Sequence, residues 1–231
     1  MKQVIPIFLC IAFAIGCADK PKGARITMIR GLASVISAGK SEPAAVGQVV
    51  QANDEIITEK DSIVDLQIAN GGAFRVAENS KVKINSLGEE SEMNLEKGGL
   101  LVGLQKLKGK ESFTVRTPTA LAGVRGTSFS ISAERSTIAV LTGSVEVKKG
   151  ETTVEVPELK EVRTTAEKLE TKSLSRASAE ELTSIGEIEG ISEVEGFDEI
   201  QKNLSLVVLD IEKETLGNGK QIQPREAQEK K

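Results

Sequence analysis

The sequence predicts a mainly β protein: many short strands, arranged as a β-sandwich or β-roll, with a small C-terminal helical appendage.

 

Three observations predict it. From Ala24 to about Val156, apolar and polar residues alternate over short stretches, the period of a strand with one buried face. Gly, Asn or Asp punctuates these stretches at intervals of roughly 8 to 12 residues, the rhythm of sandwiches and barrels. Beyond Ser178 the apolar spacing changes to three and four, which belongs to helices.

The chain opens with Met1-Lys2-Gln3 and an apolar run from Val4 to Ile15, interrupted by Pro6. That run is shorter than the roughly 20 residues a spanning helix needs, and it has the size of a signal-peptide core. It ends Ala14-Ile15-Gly16-Cys17, which resembles the lipobox of bacterial lipoproteins, where cleavage before Cys leaves that Cys lipidated. Ala14 stands where Leu is commoner. The alternative is an ordinary signal peptide cut at a small residue. The expected organisation is a lipoprotein signal peptide over 1–16, then lipidated Cys17 and a polar tether over 17–23.

The β region is expected over 24–165. Val64, Leu66 and Ile68 share one face while Asp65 and Gln67 take the other. Asn70-Gly71-Gly72 reads as a turn, after which Phe74 and Val76 resume the alternation. Val82 and Ile84 mark the next short strand. Phe129 and Ile131, Ile138 and Val140, and Val145 and Val147 flank turns at Ala133–Ser136 and Thr142–Ser144.

The last part is expected as an acidic helical region over 173–217 and a disordered polar tail over 218–231. Ser178-Ala179-Glu180-Glu181 has the form of a capping box, so a helix is expected to start at Ser178. Leu182, Ile185, Ile188, Ile191, Val194, Phe197 and Ile200 follow in steps of three, with Gly186, Gly190 and Gly196 between them. A step of three drifts around a helix and glycine weakens it, so short helical turns joined by bends are expected. Phe197, Ile200, Leu204, Val207, Val208 and Ile211 keep a better helical period, and Leu216-Gly217-Asn218-Gly219 reads as a stop.

Composition removes several function classes. The 231 residues carry a formal net charge of −4 and contain no His, Trp or Tyr. Without His the usual proton-transfer side chain and commonest metal ligand are missing. Both cysteines, Cys10 and Cys17, lie at the N-terminus, so residues 18–231 hold neither a disulfide nor a thiolate nucleophile. No cofactor and no metal site are expected, and the reading is that of a protein without catalytic activity. Residues 179–191 faintly resemble a helix-hairpin-helix, but residues 180–199 carry eight acidic residues and no basic one. A phosphate-binding surface needs the opposite charge, so no nucleic-acid partner is expected.

The run Thr117-Pro118-Thr119-Ala120-Leu121-Ala122-Gly123-Val124-Arg125-Gly126-Thr127-Ser128-Phe129 resembles the signature of FecR-type domains. Asn53-Asp54-Glu55-Ile56-Ile57-Thr58 resembles that family's Gly-Asp-x-Ile-x-Thr, with Asn53 in place of Gly. Leu141-Thr142-Gly143-Ser144-Val145-Glu146-Val147 resembles its closing strand. The motif residues Gly123, Val124, Arg125, Gly126 and Thr127 are expected to be structural. Two readings of Arg125 stand side by side: a clamp on backbone carbonyls and on an acid such as Asp54 or Asp65, or an exposed fork for a partner's carboxylate.

The resemblance implies a membrane-associated regulator whose periplasmic domain senses an outer-membrane receptor and signals to a sigma factor. This sequence differs in showing a lipobox where that family has a spanning helix. The expectation is therefore a lipid-anchored envelope protein, more favourably placed at the outer membrane because Ala18 follows Cys17. It is expected to bind another envelope protein as a scaffold module, or else to serve as an accessory in such a relay.

Overall fold

The computed structural model describes residues 23–68, 71–124, 126–165 and 167–218, with side chains as far as Lys213. The chain enters through β1 (Ala24–Arg30), β2 (Ala33–Ser37), β3 (Lys40–Pro43), β4 (Val49–Val50) and β5 (Glu55–Thr58). It continues through β6 (Ile63–Ile68), β7 (Gly72–Val76), β8 (Lys81–Ser86), β9 (Glu90–Lys97) and β10 (Gly99–Leu104). Then come β11 (Ser112–Arg116), β12 (Leu121–Val124), β13 (Ser128–Ser132) and β14 (Thr137–Thr142). The last strands are β15 (Ser144–Lys149), β16 (Thr152–Pro157), β17 (Lys160–Arg163) and β18 (Thr171–Ser173).

Two nine-stranded sheets result. The first has the order β18-β17-β14-β13-β10-β7-β6-β1-β4, the second β16-β15-β12-β11-β9-β8-β5-β2-β3. From β6 onward the chain lays a hairpin in one sheet and the next in the other, with β10 as a lone strand between hairpins. This winding makes a β-roll whose two walls form a sandwich. Neighbours pair antiparallel except β9 and β11, which are parallel because the chain leaves for β10 between them.

The core lies between the walls. Leu66, Phe74, Leu100, Phe129, Ile131 and Ile138 of the first sheet meet Ile56, Ile84, Met93 and Leu95 of the second, all fully buried. On the second sheet the alternation is clean, because its outer face meets water. There Lys81 bridges Glu55 and Glu96, and Arg116 lies near Glu92.

The central strands of the first sheet, β7, β10, β13 and β14, are buried on both faces. Its outer face carries small residues, among them Ala73, Gly103, Ser130 and Ala139, with Leu101 and Leu141 between them. The C-terminal helices cover this face. They are α1 (Arg176–Thr183), two 3₁₀ turns at Ser184–Glu187 and Ile191–Glu193, and α2 (Phe197–Asn218). Leu182, Ile185, Ile188, Ile191, Val194, Ile200 and Val207 make a second core against Ala73, Leu101, Ala139 and Leu141. The steps of three are thus short turns laid over a sheet, as the glycines imply.

Two local expectations differ from the structure. The first helix starts at Arg176, not Ser178. Its cap is Ser175, whose hydroxyl accepts from the Ser178 N–H at 3.3 Å, because Glu161 on β17 holds Ser175 in place. The turn expected at Thr142–Ser144 is present, and it joins the two sheets rather than two strands of one: β14 lies in the first and β15 in the second, so Gly143 marks a crossing between walls. The stop expected over Leu216-Gly217-Asn218-Gly219 is where α2 ends, at Asn218. The first sheet also runs past residue 165, to β18 at Thr171–Ser173.

Candidate functional site

The Thr-Pro of the sequence signature closes the β11–β12 hairpin. Thr117 N–H donates to Ala120 O at 2.9 Å, and the Thr117 hydroxyl accepts from Ala120 N–H at 3.1 Å. β12 then carries Gly123 opposite Glu146 of β15, while Val124 points into the core. Arg125 lies outside the described residues, as does Cys17.

Gly126 and Thr127 form the corner where the chain crosses from the second sheet to the first. Gly126 has φ +96°, and a Cβ there would stand 2.4 Å from Lys106 Cα and 2.9 Å from Gln105 O. Only glycine fits this backbone approach. Thr127 is buried and its hydroxyl donates to Ser144 O at 2.8 Å, tying this corner to the neighbouring one at Gly143. Of the five signature residues, the four described build the sandwich.

The two carboxylates considered as partners of Arg125 are engaged elsewhere. Asp54 Oδ2 accepts from Gln51 N–H at 2.8 Å. Asp65 lies under the helical cover, gripped by Arg75 through Nε at 2.6 Å and Nη2 at 2.8 Å. Burial works against the Arg75 charge, but the Asp65 hydrogen bonds and charge outweigh it and its pKa is raised. Arg75 was absent from the sequence reading. A signal existed: Asp65 and Arg75 are each five residues from position 70, and the β6–β7 register sets them side by side.

Further polar contacts hold the cover down. Arg75 Nη2 donates to Glu187 O and Glu189 N–H donates to Asp65 Oδ2, both at 2.9 Å. Glu181 Oε2 accepts from Ser130 Oγ at 3.0 Å and from Arg135 Nη2 at 2.5 Å. Burial raises the Glu181 pKa, with Arg135 and Ser130 opposing the shift. Asn203 on α2 donates to Leu141 O at 2.7 Å. These contacts fix the cover, and a cavity of about 410 Å³ opens beside Arg75, Glu181 and Glu187. Among the described residues, no group of three or more acidic side chains is close enough together to hold a metal ion.

The surface most suited to a partner lies on the outer side of this cover. On α2, Ile200, Asn203 and Val207 face the sheet, whereas Leu206, Val208 and Leu209 are 42%, 41% and 48% exposed. A groove of about 460 Å³ runs between α2 and the β17–β18 hairpin, with Leu174, Leu206 and Ile211 on its walls and Lys160, Arg176 and Lys213 around it. β18 is an end strand of its sheet, so one edge is unpaired beside the groove. No helix among the described residues is long and apolar enough to cross a membrane.

The family described as FecR protein matches residues 54–146, from the residue before β5 to the middle of β15. A FecR domain therefore forms the centre of the sandwich. Two crystal structures of a candidate anti-sigma factor from Parabacteroides distasonis are similar, with 19% and 18% identity and TM-scores of 0.48 and 0.49. The similarity covers 55% and 57% of this chain, which spans 64% of the length of each of those chains. Comparison with curated proteins gives no match.

Proposed function

We propose that this FecR-domain chain is a non-catalytic protein-binding or scaffold module of the bacterial cell envelope, held on a membrane by a lipid on Cys17. The observation that carries the binding role is the exposed apolar pair on α2, Leu206 and Leu209, which are neighbours one turn apart. Contiguous exposed apolar surface on a folded protein marks an interaction site. Family and lipobox together favour the envelope, and Ala18 favours the outer membrane.

The tether from Cys17 to Gly23 reaches at most about 20 Å when fully extended, so the sandwich would work close to the bilayer. Several acyl chains, at about 0.8 kcal/mol per buried CH₂, make such an anchor stable. The test is fatty-acid labelling and membrane fractionation of the native chain beside Cys17→Ala. Labelled wild type and a released, unlabelled variant are expected. A variant that still sediments and still takes up label overturns the anchor.

The FecR domain also favours a second reading, an accessory component of a FecR-type transmembrane relay. Cross-linking and co-purification from native membranes separate the two. Specific recovery of an outer-membrane receptor or a membrane signalling protein supports the relay. Recovery of structural envelope proteins supports the scaffold.

A further inference from the structure

Four residues of α2 form one outward stripe. Lys202, Leu206, Leu209 and Lys213 are spaced four, three and four apart, all are exposed, and at 100° per residue they share an arc about 60° wide. The stripe is turned away from the side that buries Ile200, Asn203 and Val207. Its pattern is basic, apolar, apolar, basic over about 17 Å, three turns of helix.

Resting on the binding role proposed above, we infer that this stripe is the docking site for an amphipathic helix of another protein, one whose facing side carries acidic residues at both ends of an apolar centre. Charge identifies the occupant. Lys202 forms no ion pair among the described residues, and Lys213 has only the exposed Asp210 at 3.7 Å. The adjoining groove adds Lys160 and Arg176, the latter paired with Glu180, around apolar walls at Leu174 and Ile211. A partner with acidic ends meets a cation at each end and leucine between, the side-chain pairing that sets helix partners and their register.

The same charges argue against two other occupants. In a second copy of this chain crossing antiparallel about Leu206 and Leu209, Lys202 would face Lys213, and like charges so placed repel. An anionic lipid surface would meet the acidic flanks of α2, Asp198, Glu199, Asp210 and Glu212, and the preceding Glu189, Glu193 and Glu195.

The test uses the full chain carrying Cys17→Ala and two labelled helical peptides on the same Ala–Gln background. One bears Glu, Leu, Leu and Glu at i, i+4, i+7 and i+11; the other has Lys for Glu. By fluorescence anisotropy the Glu peptide is expected to bind about tenfold or more tightly than the Lys peptide, as opposite and like charges at two positions require. Leu206→Gln with Leu209→Gln should abolish binding, and Lys202→Glu with Lys213→Glu should reverse the preference. All four positions are exposed, so circular dichroism of the variants should match wild type.

Equal affinity for both peptides, or binding indifferent to the leucine pair, overturns the proposal. So does a concentration-dependent dimer, or binding to anionic phosphatidylglycerol vesicles, that disappears in the Leu206→Gln, Leu209→Gln variant. A photo-cross-linker at position 209 in living cells separates this failure from failure of the binding role. A specific protein adduct with no peptide binding retains the binding module and rejects the acidic helix. Neither adduct nor peptide binding rejects both.

Discussion

Arg75 and Asp65 form a two-pronged ion pair, 2.6 and 2.8 Å, that belongs to the sheet but also holds the helices. Arg75 reaches on to Glu187 O, and Asp65 accepts from Glu189 N–H. Removing one partner of a buried pair leaves the other charged and uncompensated, at about 3–5 kcal/mol. Arg75→Ala is therefore expected to lower stability by that amount in urea unfolding. Asp65→Leu with Arg75→Met should recover part of it, since no lone charge remains, although the Glu187 and Glu189 backbone groups lose their partners. A double variant less stable than Arg75→Ala would show that the pair itself contributes most of the stability.

Leu182 tests whether the helical cover is a separate cooperative unit. It is fully buried in the second core, which shares no side chain with the core between the sheets. Leu182→Ala should cost about 2–5 kcal/mol. Hydrogen exchange should show that loss in α1 and α2, with β8, β9, β11 and β12 of the second sheet little changed, because units of a fold open separately. Equal loss of protection throughout would mean that cover and sandwich unfold together.

Gly126→Ala should be among the costliest substitutions in the FecR domain. The left-handed φ costs roughly 1–3 kcal/mol for a non-glycine residue, and the new Cβ would strike the Lys106 backbone. Gly39 has φ +78° but nothing within 4 Å of a Cβ, so Gly39→Ala measures the backbone cost alone. A larger loss at position 126 by thermal unfolding is expected. Equal losses would remove the Lys106 contact from the argument.

Glu161 gives the protein a pH dependence. Burial would raise its pKa, but Ser178, the Ser175 N–H and hydroxyl, and Arg163 outweigh this and lower it. A lowered pKa means the unfolded state binds more protons in the acidic range, so stability rises with pH there. The contribution is present above the ordinary carboxylate pKa and is lost as pH falls through the lowered value. Glu161→Gln should cost about 1–2 kcal/mol near neutral pH. Its gap from wild type should close as the pH falls through that range; a gap independent of pH would assign the effect to shape rather than charge.

Much of the local structure was legible. The alternation at Val64, Leu66 and Ile68, the turn at Ala133–Ser136 and the short helical turns after Leu182 appear where residue spacing puts them. Spacing reports on the two faces of one element, because side chains repeat every two residues in a strand and every 3.6 in a helix. The cap at Ser175 was hidden because its anchor, Glu161, lies on β17 and is distant in sequence. The engagement of Asp65 by Arg75 was readable from hairpin register, but not the burial that gives it weight.

By itself, the sequence determined the strand-rich fold with its turn positions, the amphipathic character of the C-terminal region and the absence of His, Trp and Tyr. Those properties follow from side-chain period, backbone freedom and composition, which act locally. Only the tertiary structure decided that Gly143 crosses between sheets, that the helices cover the outer face of the first sheet, and that Lys202, Leu206, Leu209 and Lys213 point outward. Each of these depends on which of several apolar surfaces meets which, and that choice is made by packing between residues far apart in the chain.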